Sequence, residues 1–554
     1  MKRKSFLIIP LILSLLTVVG LFAFRAAQTY FSPDKADDQP VFIPPAFTEG
    51  PTPTNFGPSD PTPTSQPPQI WLDASLPDSY LEQISSGLSI QVGKSRDQAA
   101  VVVLPGEENV ITRWVYALAA PFPTIPDNVS ESEIRSAWQG GESTTFNGSP
   151  IFLTANTLEV FSRLWGDPAE GSVQVTAADQ LQETVWDRRP AWALVPFENL
   201  EPSWKVLAVD GISPLQKDFA AEEYYLSVPI SVLGNSDLVS GLDLSNRDPE
   251  QLTTVMLTGV TALVRATAWT METNGVEYPA RDIGDWLLEA DILHISNEVP
   301  FVRGCPYPDP GQSGLRFCSN PKYLRLLESI GTDVVELTGD HFGDYGPEAM
   351  LNTLELYNLR DWPYYGGGKN RADAQKAVKF EHNGNKIAFI GCNAKGGGYA
   401  TAAENNPGAV ACDFNQMTAS IQELTADGYQ VIGTFQHFEY YTYFAQPDQI
   451  RDARRLTEAG AVIVSGSQAH QPQAFEIRDG GFVHHGLGNL FFDQIYEIPP
   501  NTATAFIDRH VFYGGKHIST ELLTIQFEDF ARARPMNQAE RQALLNTVFS
   551  ASGW

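Results

Sequence analysis

Five short apolar runs in the second half of the chain end in the same way, each at a polar cluster rich in Asn, Asp, Glu and His. They are TTVMLTG (253–259), ADILHISNE (290–298), TDVVELTGDHFGD (332–344), YQVIGTFQHFE (429–439) and AVIVSGSQAH (461–470). Short β-branched runs bounded by turn residues predict buried strands. Amphipathic patterns between them predict helices over 347–359, 418–428 and 447–460. Two of these close at Gly428 and Gly460, as helices close at a C′ glycine. Strands alternating with helices define an α/β class. In such sheets chemistry gathers at the carboxyl ends of the strands. Asn297, Glu298, Asp340, His341, His437, Glu439, Gln468 and His470 are therefore expected to converge.

The first half has a similar alternation. Strand-like runs at 99–105, 150–155, 191–197 and 205–211, with a helix-like run at 156–166, predict a smaller α/β domain over 70–243. Residues 32–69 are rich in Pro, Thr, Ser and Gly, which makes an extended spacer. Residues 1–31 begin Met-Lys-Arg-Lys and continue into an apolar stretch over 6–24. That pattern predicts an N-terminal membrane anchor or signal, with an uncleaved anchor preferred because no clean cleavage site follows. The bulk of the chain would then be extracellular, at the cell membrane. The strand-end clusters fall in a domain over 248–530, and 531–554 reads as a C-terminal helical tail.

Charge narrows the partners. The 554 residues carry a net charge of −29, from 37 basic and 66 acidic side chains, which excludes a nucleic-acid partner. There are four cysteines. An even number in an exported chain predicts disulfides, and sequence order pairs Cys305 with Cys318 and Cys392 with Cys412. A zinc site is the alternative, but no C-x-x-C pair is present to support it.

Carboxylates and imidazoles at several strand ends suit a divalent metal such as Mn, Fe or Zn. One histidine at a strand end is more often a satisfied structural side chain, and only several together shift the balance. Over about residues 255–500 the chain resembles the CapA family of capsule-synthesis proteins. The segments that carry the resemblance are NEVPF (297–301), GDHFGDYGPEAMLNTLELY (339–357), YGGGKNRADAQK (365–376), QHFEYY (436–441), LTEAGAVIVSGSQAHQPQAFEI (456–477) and HHGLGNLFFDQ (484–494). The resemblance implies a calcineurin-like metallophosphatase α/β/β/α sandwich and a link to poly-γ-glutamate. Parts of 70–243, notably 115–124 and 193–215, resemble type 2 periplasmic solute-binding domains.

The departures from the family pattern bear on the chemistry. Where the family's first strand ends in a ligating Asp, this chain has Val260. One histidine of the last motif is replaced by Gln468. The remaining expected ligands are Glu298, Asp340, His437 and His470, with His341 as general acid oriented by Asp344. Asn297, Glu439 and Gln468 would hydrogen-bond to the ligands and orient them, Glu439 acting on His437. Arg265 is read as a surface or paired arginine rather than an anion binder. Two functions follow from the resemblance. One is a metal-assisted hydrolase or transferase in the synthesis or anchoring of an anionic cell-surface polymer. The other is a non-catalytic binding or assembly protein on a fold that has lost its metal. A solute sensor dominated by 70–243 is a third.

Overall fold

The computed structural model describes residues 69–87, 91–234, 241–494 and 500–554. The expected anchor (1–31) and nearly all of the spacer (32–69) lie outside the described residues. Among the described residues, no helix is long and apolar enough to cross a membrane.

In the second half, the strands that build the site include β1 (Leu252–Thr258), β2 (Ile292–Asn297), β3 (Val334–Glu336), β4 (Asn385–Asn393), β5 (Gln430–Gln436), β6 (Ala461–Ser465) and β7 (Gly481–His484). A long hairpin follows, β8 (Thr504–Tyr513) and β9 (Lys516–Glu528). One sheet places β3, β2 and β1 side by side in parallel and then adds β8 and β9 antiparallel. The other runs β4, β5, β6 and β7 in parallel.

Residue alternation along the strands builds the layers, because successive side chains point to opposite faces. Val255 and Leu257 of β1 share one apolar core with Phe389 of β4, Ile432 of β5 and Ile463 of β6, so the two sheets pack face to face. Met256, between them in sequence, joins a second core with Leu293 and with Met350 and Leu354 of a helix, α1 (Gly346–Asn358). The outer face of the second sheet, through Ile390, Val431 and Val464, packs against α2 (Phe414–Ala426) and α3 (Pro447–Glu458). The result is the expected α/β/β/α sandwich.

Residues 69–234 form a ten-stranded mixed sheet with helices, centred on the strand Val110–Pro121. Thr154 caps its helix Ala155–Trp165, and Gly166 ends it at φ 81°. This α/β region does not stand apart from the sandwich. Residues 67–554 form one compact unit. Phe122, at the end of the central strand, packs edge-on against Phe475, Phe482, Phe549 and Trp554.

The segment 531–554 is not an appended tail. Arg532–Pro535 pairs with β9, and the helix α4 (Gln538–Ala551) buries Leu544, Leu545, Val548 and Phe549 in the core that also joins the sheets. Asn537 caps that helix in a capping box with Glu540. Its apolar residues therefore belong to the sandwich itself.

Candidate metal centre

The parallel strands of both sheets point their carboxyl ends at one place. Glu298 follows β2, Asp340 and His341 follow β3, Glu439 follows β5 and His470 follows β6. Ligating atoms of Glu298, Asp340 and His341 all lie within 4.8 Å of one another. His470 Nε2 faces them from the second sheet, 3.8 Å from Glu298 Oε1 and 3.9 Å from Glu439 Oε1. The close approach depends on Gly339, where a Cβ would stand 2.9 Å from the Glu298 Cα. Any side chain there would push the Asp340 turn off Glu298.

The carboxylates are not equivalent. Glu298 is 1% exposed. Burial raises its pKa against the pull of His470 and His341, and Asp340 and Glu439 raise it further. Its Oε1 has no hydrogen-bond partner. Leaving a buried carboxylate oxygen unpaired is costly unless a cation or proton meets it. For Asp340, burial raises the pKa, but the Lys395 ammonium outweighs it and the net shift is downward. Glu439 is also lowered, burial being overcome by His470 and Lys395.

The two histidines are held in different ways. His341 Nδ1 pairs with Asp344 Oδ2 at 2.8 Å. Burial would lower the His341 pKa, but Asp344, Glu298 and Asp340 together push it up to about 9. His470 Nδ1 lies 2.9 Å from Asn489 Oδ1, while Asn489 Nδ2 donates to the His470 carbonyl at 3.4 Å. With the amide so oriented, Oδ1 accepts and Nδ1 donates. In the neutral ring the lone pair is then on Nε2, aimed at Glu298 and Glu439, the tautomer a metal ligand needs. The unpaired Glu298 oxygen and this lone pair fit a cation between them.

Several expected residues do other things. His437 is not among this group. Its Nε2 lies 3.5 Å from Asp452 and its Nδ1 3.7 Å from Asp448, both on α3, and its ring packs edge-on against Phe435. Alternation is the cause: Gln436 turns to the site, donating to Asp340 Oδ1 at 2.9 Å, so its neighbour turns to the helix layer. Glu439, expected to orient His437, instead accepts from Lys395 at 3.3 Å and from the Tyr441 hydroxyl at 2.8 Å. Asn297 donates to the Val299 carbonyl at 2.7 Å and Gln468 to Ser296 Oγ at 2.6 Å, so neither holds a ligand through these bonds. Their Oδ1 and Oε1 atoms are buried without partners.

Val260 sits in a small apolar cluster with Phe317 and Phe492, whose rings pack against His341 and His470 respectively. An apolar wall thus stands beside both histidines. Arg265, at φ 42°, is buried and paired with Asp493 at 2.5 Å, as a structural arginine. The disulfides Cys305–Cys318 and Cys392–Cys412 are both formed.

Lys395, Gln436 and Asn489 were not marked by the apolar pattern. Lys395 follows β4, whose sequence NKIAFIGCN is a sixth run of the same kind ending at Asn393. Extending the strand-end rule to that run would have found it. Beneath the centre lies a buried polar network, also unmarked. Glu336 accepts from the Thr338 hydroxyl at 2.7 Å and from the Ser467 hydroxyl, and His294 Nε2 lies 3.2 Å from its carboxylate. Burial raises the Glu336 pKa, but His294 and these hydroxyls hold it below its ordinary value. It ties β3 to β2 and to the turn after β6.

Residues 254–494 match the family described as bacterial capsule synthesis protein PGA_cap. The chain is 23% identical over 256 residues to a capsule biosynthesis protein CapA of Bacillus anthracis, covering 45% of this chain and 62% of that protein. It is 28% identical over 178 residues to a PGA biosynthesis protein CapA of Bacillus subtilis (strain 168), covering 32% of this chain and 47% of that one. The matched stretches thus span about half to three-fifths of these relatives' own lengths. Among solved structures, a 5′-nucleotidase precursor from Thermus thermophilus aligns with a TM-score of 0.33 and 13% identity, over 53% of this chain and 58% of that one. An ABC-type phosphate transport receptor from Vibrio cholerae aligns with a TM-score of 0.24 and 13% identity, over 31% of this chain and 88% of that one.

Proposed function

We propose, from the match of residues 254–494 to the bacterial capsule synthesis protein PGA_cap family, that the chain handles an anionic cell-surface polymer of the poly-γ-glutamate kind. Its part would be in synthesis or anchoring, at the outer face of the cell membrane, through a metal-assisted hydrolase or transferase site. The observation that carries this reading is the buried Glu298 Oε1, unpaired and faced by His470 Nε2 at 3.8 Å. The two disulfides support an oxidising compartment.

Glu298 and His470 would hold the ion, and mixed carboxylate and imidazole donors suit Mn, Fe or Zn. When bound, such an ion supplies Lewis-acid polarisation of an acyl or phosphoryl oxygen. His341 is close enough to be a further ligand, but only after losing a proton that its neighbours hold up to about 9. We assign it the donor role. Asp344 fixes Nδ1, and the protonated ring can give its other proton to a leaving group. Lys395 offsets the charge of Asp340 and Glu439, which an anionic polymer would otherwise meet unscreened. At the rim, exposed Tyr399 and Phe438 meet edge-on at 6.0 Å and offer a contact surface for the polymer.

The test is incubation of the full chain with poly-γ-glutamate and Mn, followed by sizing of the polymer. Shortened or transferred polymer, lost in Glu298→Gln, supports the reading. Polymer that is neither bound nor altered contradicts it. A second reading, a non-catalytic binding protein, is favoured by the apolar Val260 wall and by the Lys395 ion pairs. Metal-independent retention of polymer of unchanged length would select it.

A further inference from the structure

The turn after β4 brings a lysine to the meeting point of carboxylates from two other strand ends. Lys395 Nζ lies 2.6 Å from Asp340 Oδ2 and 3.3 Å from Glu439 Oε1, and its side chain is 7% exposed. The turn is pinned. Asn393 donates to the Thr338 carbonyl at 2.8 Å and to Gln436 Oε1 at 2.9 Å, and accepts from the Gly396 N–H at 3.2 Å. The Cys392–Cys412 disulfide closes the base of the loop, and the ring of Tyr399 covers the ammonium at 4.8 Å.

Protein donors therefore engage both oxygens of Asp340, Oδ1 by Gln436 and Oδ2 by Lys395. They engage both oxygens of Glu439 as well, through Lys395 and Tyr441. Glu298 is the contrast, with Oε1 buried and unpartnered. A divalent ion drawn to Asp340 and Glu439 would have to displace a buried ammonium that already supplies their counter-charge. An ion on the Glu298 side would displace nothing from Oε1.

We propose that Lys395 is a built-in cation that closes the Asp340–Glu439 half of the cluster, so that the site takes at most one divalent metal, on the Glu298 side. Occupancy of the Glu298 side rests on the metal-binding reading above. Closure by Lys395 stands on its own geometry. Asp340 and Glu439, both in contact with the ammonium, supply its counter-charge.

The test is metal stoichiometry. The full chain, stripped of metal, is titrated with Mn and with Zn by calorimetry, and bound metal is counted after dialysis. Wild type, Lys395→Arg, Lys395→Met and Lys395→Gln are compared, with melting curves as a check on folding. The two neutral variants guard against misfolding of either one. One ion in wild type and Lys395→Arg, and two in a neutral variant, is the expected result. Loss of the second ion on adding Glu439→Gln would support it further. No ion in wild type and one in a neutral variant supports closure by Lys395 while overturning the metal-assisted reading of the native chain. Two ions in wild type, or an unchanged count in a folded neutral variant, overturns the proposal.

Discussion

His470 Nε2 stands 3.8 Å from Glu298 Oε1, although the two residues lie at the ends of strands in different sheets. The contact exists because the sheets pack face to face with their parallel strands running to the same edge. Strand order, more than any local motif, makes the pocket.

His437 is outside the pocket despite its place at a strand end. His437→Ala is expected to leave metal affinity within about twofold of wild type, since its ring meets Asp448, Asp452 and Phe435. It should cost about 1–2 kcal/mol of stability through lost packing against Phe435 and loss of the imidazole beside Asp452. Calorimetric titration beside a denaturant melt separates the two effects.

Phe122 joins the two halves of the described chain. Phe122→Ala removes a buried ring that meets four aromatic partners, two of them in or after α4. The expected loss is about 3–5 kcal/mol. Melting followed by far-UV circular dichroism should shift to lower temperature as one transition, because residues 67–554 are one compact unit. Two separated transitions in the wild type would contradict that coupling.

Acid sensitivity should have a local source in the first half. Burial raises the Glu133 pKa, but Thr144, Thr145 and Ser130 donate to its carboxylate and bring it down to about 2. A depressed folded-state pKa contributes stability that is full above the ordinary value, about 4.3, and is lost as pH falls toward 2. Glu133→Gln should cost about 1 kcal/mol at pH 7, solvent screening having reduced the charged bonds. The difference from wild type should vanish below about pH 2. Denaturant melts across pH 2–7 check both limits.

Gly339 is fixed by space. Gly339→Ala would place a Cβ 2.9 Å from the Glu298 backbone, so the Asp340 turn must shift. Metal affinity should fall by tenfold or more with a smaller change in melting temperature. An unchanged affinity would mean that the seating of Glu298 against this turn does not set the site.

The strands were legible because their apolar runs are short, β-branched and cleanly ended, and the helices between them have a clear apolar face. The sandwich followed from the resemblance and is built by alternation at residues such as Val255 and Met256. Less legible was the fate of α4. A helix with a capping box and a few apolar positions looks the same whether it lies on the surface or, as here, in the core between sheets. At the site, strand ends located Glu298, Asp340, His341 and His470, but not the direction of each side chain. Gln436 and His437 are adjacent, and only the true end of β5 decides which faces the pocket. Lys395 lies two residues beyond the end of its strand in glycine-rich surroundings that carry no polar cluster of the expected kind, although Asn393 and a disulfide hold it.

The most direct measurement is metal binding by the stripped full chain and by Glu298→Gln, read as melting temperature with and without Mn or Zn. A bound ion at a hundredfold excess over Kd stabilises by about 2.7 kcal/mol. The wild type should therefore melt a few degrees higher with metal, and Glu298→Gln should melt at the same temperature with and without it. A wild type indifferent to every divalent ion, or a Glu298→Gln protein that binds as tightly as wild type, would contradict a metal centre built on Glu298.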